Sequence, residues 1–219
     1  MKLYLILARN LFSLFDGTGI MTRNMRKPST PVFGWVATTL MKAGNAKVAV
    51  SAVQELRVSQ TDCVCEVGSG NGLALLEVVK QTSQAVYAVE ISGIFRSQLR
   101  ALNLGQNVSI LDRDASNLKT EIDDNSIDKL LGVNLVYFLT PLNVYLDEFF
   151  RIMKPGGMGI FACKFDKIQN FDETVAPNKS EADVVQALLQ SGFKATSEFI
   201  DLGDINSRYT AIKFYKPFF

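Results

Sequence analysis

A short apolar run, Cys63–Val67, stops at Gly68 and passes through Ser69-Gly70-Asn71-Gly72 before a helical stretch, Leu73–Lys80, begins. An apolar run bounded by glycines reads as a buried strand entering a sharp turn. The glycines let the backbone reverse and leave space where a Cβ would otherwise meet a ligand. The helix N-terminus behind them presents unpaired N–H groups. A strand, glycine turn and helix in this order commit the chain to a parallel sheet, with a nucleotide-like ligand lying beyond the strand's carboxyl end.

The sequence downstream keeps this alternation. Ala85–Glu90, Val108–Leu111, Ile127–Leu135 and Met158–Cys163 read as strands, and Gly93–Leu104 as a helix ended by Gly105. Thr140 is a candidate N-cap with Pro141 in the first helical position, and Leu142, Leu146, Phe149, Phe150 and Met153 follow at helical spacing. Pro155-Gly156-Gly157 ends that helix, and Ser180-Glu181-Ala182-Asp183 resembles a capping box opening another to Gln190. Lys194–Leu202 and Arg208–Lys216 alternate polar and apolar residues, as strands with one wet face do. The expected fold is α/β, a doubly wound and mostly parallel sheet with helices on both faces. Residues 61–219 form that domain, and residues 1–60 a helical cap segment. Within the cap, Phe33–Ala43 and Ala46–Leu56 read as two helices broken at Gly44-Asn45, after a loop marked by Gly17, Gly19, Pro28 and Pro31.

Composition removes several chemistries. The chain has no histidine, which excludes imidazole acids, bases and zinc ligands. Cys63 and Cys65 share one strand face, and Cys163 is the only other thiol. The three read as structural groups, and no metal is expected. Net charge is +1, with no basic groove, so nothing marks a nucleic-acid partner. The charge is uneven, however: residues 1–60 hold eight basic and two acidic side chains. The first fifteen residues are mostly apolar. They read first as a cap helix packing Leu7, Leu11 and Leu14, with a mitochondrial presequence or a peripheral membrane helix as alternatives. The expected compartment is the cytoplasm, or the mitochondrion in the presequence reading. Trp35 and Phe33 read as core, with a place over the active site as the alternative.

The ligand is narrowed by spacing. Glu90 ends the next strand, where a carboxylate accepts from both hydroxyls of a ribose. Asp114, followed by Ala115, stands after the third strand, where an acid accepts from an adenine amine; Asp112 competes for that place. The glycines run G-x-G-x-G rather than the dinucleotide G-x-G-x-x-G, and Glu66 stands two residues before the first. A carboxylate there repels a pyrophosphate but suits a ligand ammonium, directly or through water.

Taken together, Glu66–Gly72, Glu90, Asp114-Ala115, the turn Asp124-Asn125-Ser126-Ile127-Asp128 and the run Arg151-Ile152-Met153-Lys154-Pro155-Gly156-Gly157 resemble the class I S-adenosylmethionine-dependent methyltransferases. The resemblance implies a seven-stranded sheet whose last strand is antiparallel. It implies S-adenosylmethionine as cofactor, with Glu66, Gly68, Ser69, Gly70 and Gly72 holding the methionine part. Glu90 would bind the ribose, Ile91 pack on the adenine, and Asp114 bind the adenine amine beside Ala115. Asn134 and Tyr137 would face the transfer site, although Asn134-Leu135-Val136-Tyr137 lacks both prolines of the family's N-P-P-Y, and a packed strand end is the competing reading. A base, if the acceptor needs one, would come from Tyr137, Tyr145, Asp166 or Glu173. The implied acceptor is a small or lipid-like molecule. A nicotinamide-dependent oxidoreductase and a non-catalytic binding protein on the same fold are the alternatives, and the oligomeric state is open.

Overall fold

The computed structural model describes residues 3–218. Three helices come first: α1 (Leu3–Phe15), α2 (Gly19–Arg26) and α3 (Pro31–Leu56). The alternating part follows as β1 (Val64–Val67), α4 (Leu75–Val78), β2 (Val86–Val89), α5 (Gly93–Arg100), β3 (Val108–Leu111), β4 (Ile127–Val133), α6 (Leu142–Ile152), β5 (Met153–Cys163), α7 (Glu181–Gln190), β6 (Lys194–Ile200) and β7 (Tyr209–Tyr215). One seven-stranded sheet runs in the order β3-β2-β1-β4-β5-β7-β6. Strands β1 to β5 pair in parallel, and β7 lies antiparallel between β5 and β6. The order reverses between β1 and β4, so the loops leaving those two strands part around a crevice.

Alternation along the strands explains why both faces are covered. Cys65, Val67, Leu130, Phe161 and Cys163 enter the core beneath α6 and α7. Their neighbours Val64, Leu131, Ile160 and Ala162 enter the core beneath α3 and α4. A strand whose successive side chains go into opposite cores must be largely apolar, and Cys63–Val67 is so apart from Glu66 at its carboxyl end. The outer strand β6 is largely exposed and carries Lys194 and Glu198, polar residues suited to an unpaired edge.

The N-terminal segment departs from expectation in four ways. Gly44-Asn45 does not break α3, which runs on as one helix. A helical glycine costs about 1 kcal/mol, and the packing of Val48, Ala52, Val53 and Leu56 against the sheet offsets it. The expected loop after α1 holds α2, opened by Thr18, whose side chain accepts from the Met21 amide. Leu7 and Leu14 are 52% and 76% exposed; of the three expected residues Leu11 packs inward, beside buried Ala8 and partly buried Phe12. Trp35 is exposed rather than core, while Phe33 packs edge-on against Phe15. Neither aromatic lines a cavity described below. Met1 and Lys2 of the apolar leading segment lie outside the described residues. Among the described residues, no helix is long and apolar enough to cross a membrane.

Pro141 itself caps α6, after a cis Thr140–Pro141 bond. The charged residues before the fifth strand have structural work. Arg151 donates from Nε and Nη2 to the two oxygens of buried Glu148, at 2.8 Å each. Glu148 also accepts from the Leu118 amide. Lys154 grips Asp128, which in turn accepts from the Cys63 amide and so ties β1 to β4. Removing one partner of a buried pair leaves the other charge unmatched. We therefore expect Glu148→Ala to cost about 2–4 kcal/mol and to lower Tm by about 5–15 °C in a thermal melt. A fall of less than about 2 °C would show that water replaces the carboxylate.

Candidate active site

The crevice at the switch point holds a narrow cleft of 70 Å³. Its floor is the glycine turn at Gly68 and Gly70, its sides are Glu90, Ile91, Asp114 and Ala115, and Asn134 closes one end. Met25 and Arg26 of α2, Met41 of α3 and Tyr145 of α6 cover it. A second cavity of 550 Å³ lies on the far side of Asn134, and the two share Met25, Met41, Asn134 and Phe138 as walls.

The turn is shaped by its glycines. Gly68 has φ +67, and a Cβ there would lie 2.8 Å from Leu135 Cδ1. At Gly70 a Cβ would meet only the Gly68 carbonyl, at 3.8 Å, so the space beside it is open to a ligand. Gly72 and Ser69 do not line the cleft. A Cβ on Gly72 would press on Leu99 and Leu102, so that glycine serves packing, and Ser69 donates to the Glu66 carbonyl.

Glu66 lies behind the turn, 3% exposed, and its Oε2 has no hydrogen-bond partner; nor has Asn71 Nδ2 in the same turn. Burial, with a smaller contribution from the Glu90 charge, pushes the Glu66 carboxyl up to about 8. Neither residue is among those lining the cleft, but two orphaned polar atoms in the turn fit a ligand that brings both donors and acceptors, as the amino-acid end of S-adenosylmethionine does. Because the folded pKa is raised, the ligand-free fold holds this proton more tightly than the unfolded chain. Its contribution to stability therefore falls as pH rises from about 4.5 towards 8. A ligand ammonium favours the ionised form and releases the proton. S-adenosylhomocysteine affinity should accordingly rise between pH 6 and 8, by roughly tenfold. Glu66→Gln should flatten that rise in calorimetric titrations; an unchanged slope would place the proton elsewhere.

Glu90 is buried and accepts from the Gly70 amide at 2.8 Å and the Ser92 amide at 2.7 Å, one on each oxygen. Burial raises its pKa, partly countered by these donors. Each oxygen keeps lone-pair capacity for a ligand hydroxyl. Asp114 faces the cleft, and its competitor Asp112 pairs with Arg96 at 2.7 Å. For Asp114, burial acts upward, but donors from Ser116 and Tyr145 and the Arg26 charge outweigh it and leave the carboxyl below its ordinary value.

Asn134 takes the left-handed conformation, φ +52, at the end of β4. Its Oδ1 accepts from the Tyr137 hydroxyl at 3.0 Å, and that hydroxyl accepts in turn from the Lys164 amide. Tyr137 lines the larger cavity only. Burial holds its hydroxyl protonated, far above the usual range, and pushes Tyr145 up to about 12 with help from Asp114. Neither is a base. Asp166 and Glu173 are exposed, pair with Lys167 and Lys179, and face neither cavity. Cys65 and Cys163 are buried, free thiols whose pKa burial drives well up. Among the described residues no group of side chains could hold a metal.

Sequence reading missed Asn71, Tyr145's place beside Asp114, and the cap residues Met25, Arg26 and Met41. The cap residues carry no local signal, because their role comes from the way α2 and α3 fold over the crevice.

Residues 65–161 match the family described as "Methyltransferase domain". A dimethylglycine N-methyltransferase of Parasynechococcus marenigrum (strain WH8102) is 29% identical over 104 residues, which is 47% of this chain and 37% of that protein's length. The fold is similar to that of the methyltransferase solved with the Haloferax volcanii Trm112 methyltransferase activator: TM-score 0.70 and 17% identity, over 83% of this chain and 93% of that one. A SAM-dependent methyltransferase from Aquifex aeolicus superposes with TM-score 0.64 and 18% identity, over 82% and 98% of the two chains. With its strand order, its reversed β7 and the acid-and-glycine turn at the switch point, the chain has the class I S-adenosylmethionine-dependent methyltransferase fold, and residues 65–161 within it match the methyltransferase domain.

Proposed function

We propose that this protein transfers a methyl group from S-adenosylmethionine to a small-molecule acceptor held in the larger cavity. The observation that carries this reading is the shared wall: the cofactor cleft and the 550 Å³ cavity meet at Asn134, Phe138, Met25 and Met41. S-adenosylmethionine would supply the electrophilic methyl group. Glu66, Asn71 and the Gly68–Gly70 backbone would hold its amino-acid end, Glu90 the ribose, and Ile91, Asp114 and Ala115 the adenine. The protein's part is to orient the two reactants and exclude water.

With both tyrosines protonated and both acids outside the cavities, the arrangement supports an acceptor that needs no carboxylate or tyrosinate base from this chain. The apolar walls of the larger cavity, Phe12, Leu40 and Phe171 among them, support a lipid-like acceptor over a small hydrophilic one. The glycine spacing, G-x-G-x-G in place of the dinucleotide G-x-G-x-x-G, argues against a nicotinamide cofactor. Calorimetric titration with S-adenosylhomocysteine, and with NADH in parallel, tests the reading. Micromolar binding of the first alone supports it; binding of NADH alone, or of neither, overturns it.

Tyr137 should matter to turnover and not to cofactor binding. Tyr137→Phe frees Asn134 Oδ1 and leaves the Lys164 amide without its acceptor. We expect kcat to fall about 10–100-fold with S-adenosylhomocysteine affinity unchanged. Equal losses in both would place Tyr137 in the scaffold rather than at the acceptor.

A further inference from the structure

Charge around the larger cavity is out of balance. Among the described residues, Lys47, Lys164 and Lys167 line it, together with Arg9 and with Asp204 as the carboxylate. Lys47 pairs with Asp204 at 2.8 Å, and Lys167 with Asp166 at 3.0 Å, both towards the surface. Lys164 differs. It is 8% exposed, and within the described residues no carboxylate pairs with it. Its ammonium donates to three uncharged oxygens: the Asn206 carbonyl at 2.7 Å, the Gly44 carbonyl at 2.8 Å and Asn45 Oδ1 at 3.2 Å. Such partners satisfy its N–H groups without cancelling its charge, and a buried charge ordinarily has a counter-charge. Burial pushes its pKa down, and the charges of Asp166 and Asp204, neither in contact with it, only partly counter that.

The placement matters as much as the charge. Lys164 follows β5 directly, and its backbone amide holds the Tyr137 hydroxyl that fixes Asn134. The ammonium itself sits among Gly44, Asn45 and Asn206, all of which line the larger cavity and none the cleft. The rest of the wall is apolar, with Phe12, Leu40, Phe138, Ile168 and Phe171. Asn45 Oδ1, the most distant of the three acceptors, is the one an entering anion would displace.

We infer that the methyl acceptor is an apolar molecule bearing one anionic group, a carboxylate or a phosphate, and that this group lies against Lys164. The inference that this ligand is the methyl acceptor rests on the methyl-transfer reading; the anion preference of the cavity does not.

The test compares decanoate, decyl phosphate and uncharged decanol in calorimetric titrations of the full chain, with and without saturating S-adenosylhomocysteine. At least one of the two anions should bind tenfold or more tighter than decanol, and which one does so identifies the anionic group. Lys164→Gln keeps a donor for the three oxygens and removes the charge; the preference should shrink to less than threefold. Lys164→Arg should retain it. Decanol binding as tightly as both anions in the unmodified protein overturns the inference whatever the variants do, as does a preference that survives in Lys164→Gln. If S-adenosylhomocysteine fails to bind, the methyl-transfer reading falls, while the titrations without it still decide what the cavity prefers.

Discussion

Glu90→Ala is expected to weaken S-adenosylhomocysteine binding by about 100-fold or more, the largest effect of any side-chain truncation at this site. Two losses combine. Hydrogen bonds from ligand hydroxyls to a carboxylate contribute roughly 1.5–3 kcal/mol each, and the variant removes both. The Gly70 and Ser92 amides also lose the acceptors that hold the turn against the end of β2, at 2.8 and 2.7 Å. A Glu90→Gln variant separates these terms, because its amide oxygen still accepts while its charge is gone; about a tenfold loss is expected. Calorimetry with the two variants reads both. An affinity within threefold of the unmodified protein in Glu90→Ala would remove Glu90 from the binding site.

Gly68→Ala should be the most damaging single methyl that the glycine turn can receive at the cleft floor. A left-handed conformation costs a residue with a Cβ about 1–2 kcal/mol, and overpacking costs a further 1–3 kcal/mol. Here the new atom would stand 2.8 Å from Leu135 Cδ1, directly after Asn134. We expect a destabilisation of about 2–5 kcal/mol in urea unfolding, with cofactor binding lost as Leu135 pushes on its neighbour. Gly44→Ala provides the contrast. Its Cβ meets nothing within 4 Å, and the residue lies inside α3. That substitution should stabilise the fold by about 0.5–1 kcal/mol. Equal unfolding midpoints for the two variants would show that neither conformation nor contact distinguishes these glycines.

Where the physics is local, the sequence carries it. The turn from Cys63 to Gly72 announces itself because a strand, a reversal without Cβ atoms and a helix start each leave a mark within a few residues. The same holds for Ser180, whose side chain accepts from the Asp183 amide at the start of α7 as its spacing suggests. The strand sequence β1 to β5 is legible because residues buried on both faces must be apolar in unbroken runs.

The sequence reads poorly where a choice depends on what lies opposite. α1 is apolar around much of its circumference, so no periodicity selects Ala8 and Phe12 over Leu7 and Leu14 as its buried face. Gly44-Asn45 looks like a break until the second half of α3 is seen against the sheet. The candidate bases show the same limit. Asp166, Glu173, Tyr137 and Tyr145 are equivalent as letters, yet two face solvent and two are held protonated by burial.

The sequence alone therefore determined the α/β class, the parallel character of the early strands and the glycine turn at the end of β1, since each of these follows from neighbours along the chain. Only the tertiary structure decided the surroundings of the turn: the cavity beyond Asn134, the cap residues that line the cleft, and the ammonium of Lys164 held among oxygens contributed by residues 44, 45 and 206. Burial and charge balance are properties of what folding brings together from distant parts of the chain, and no local pattern records them.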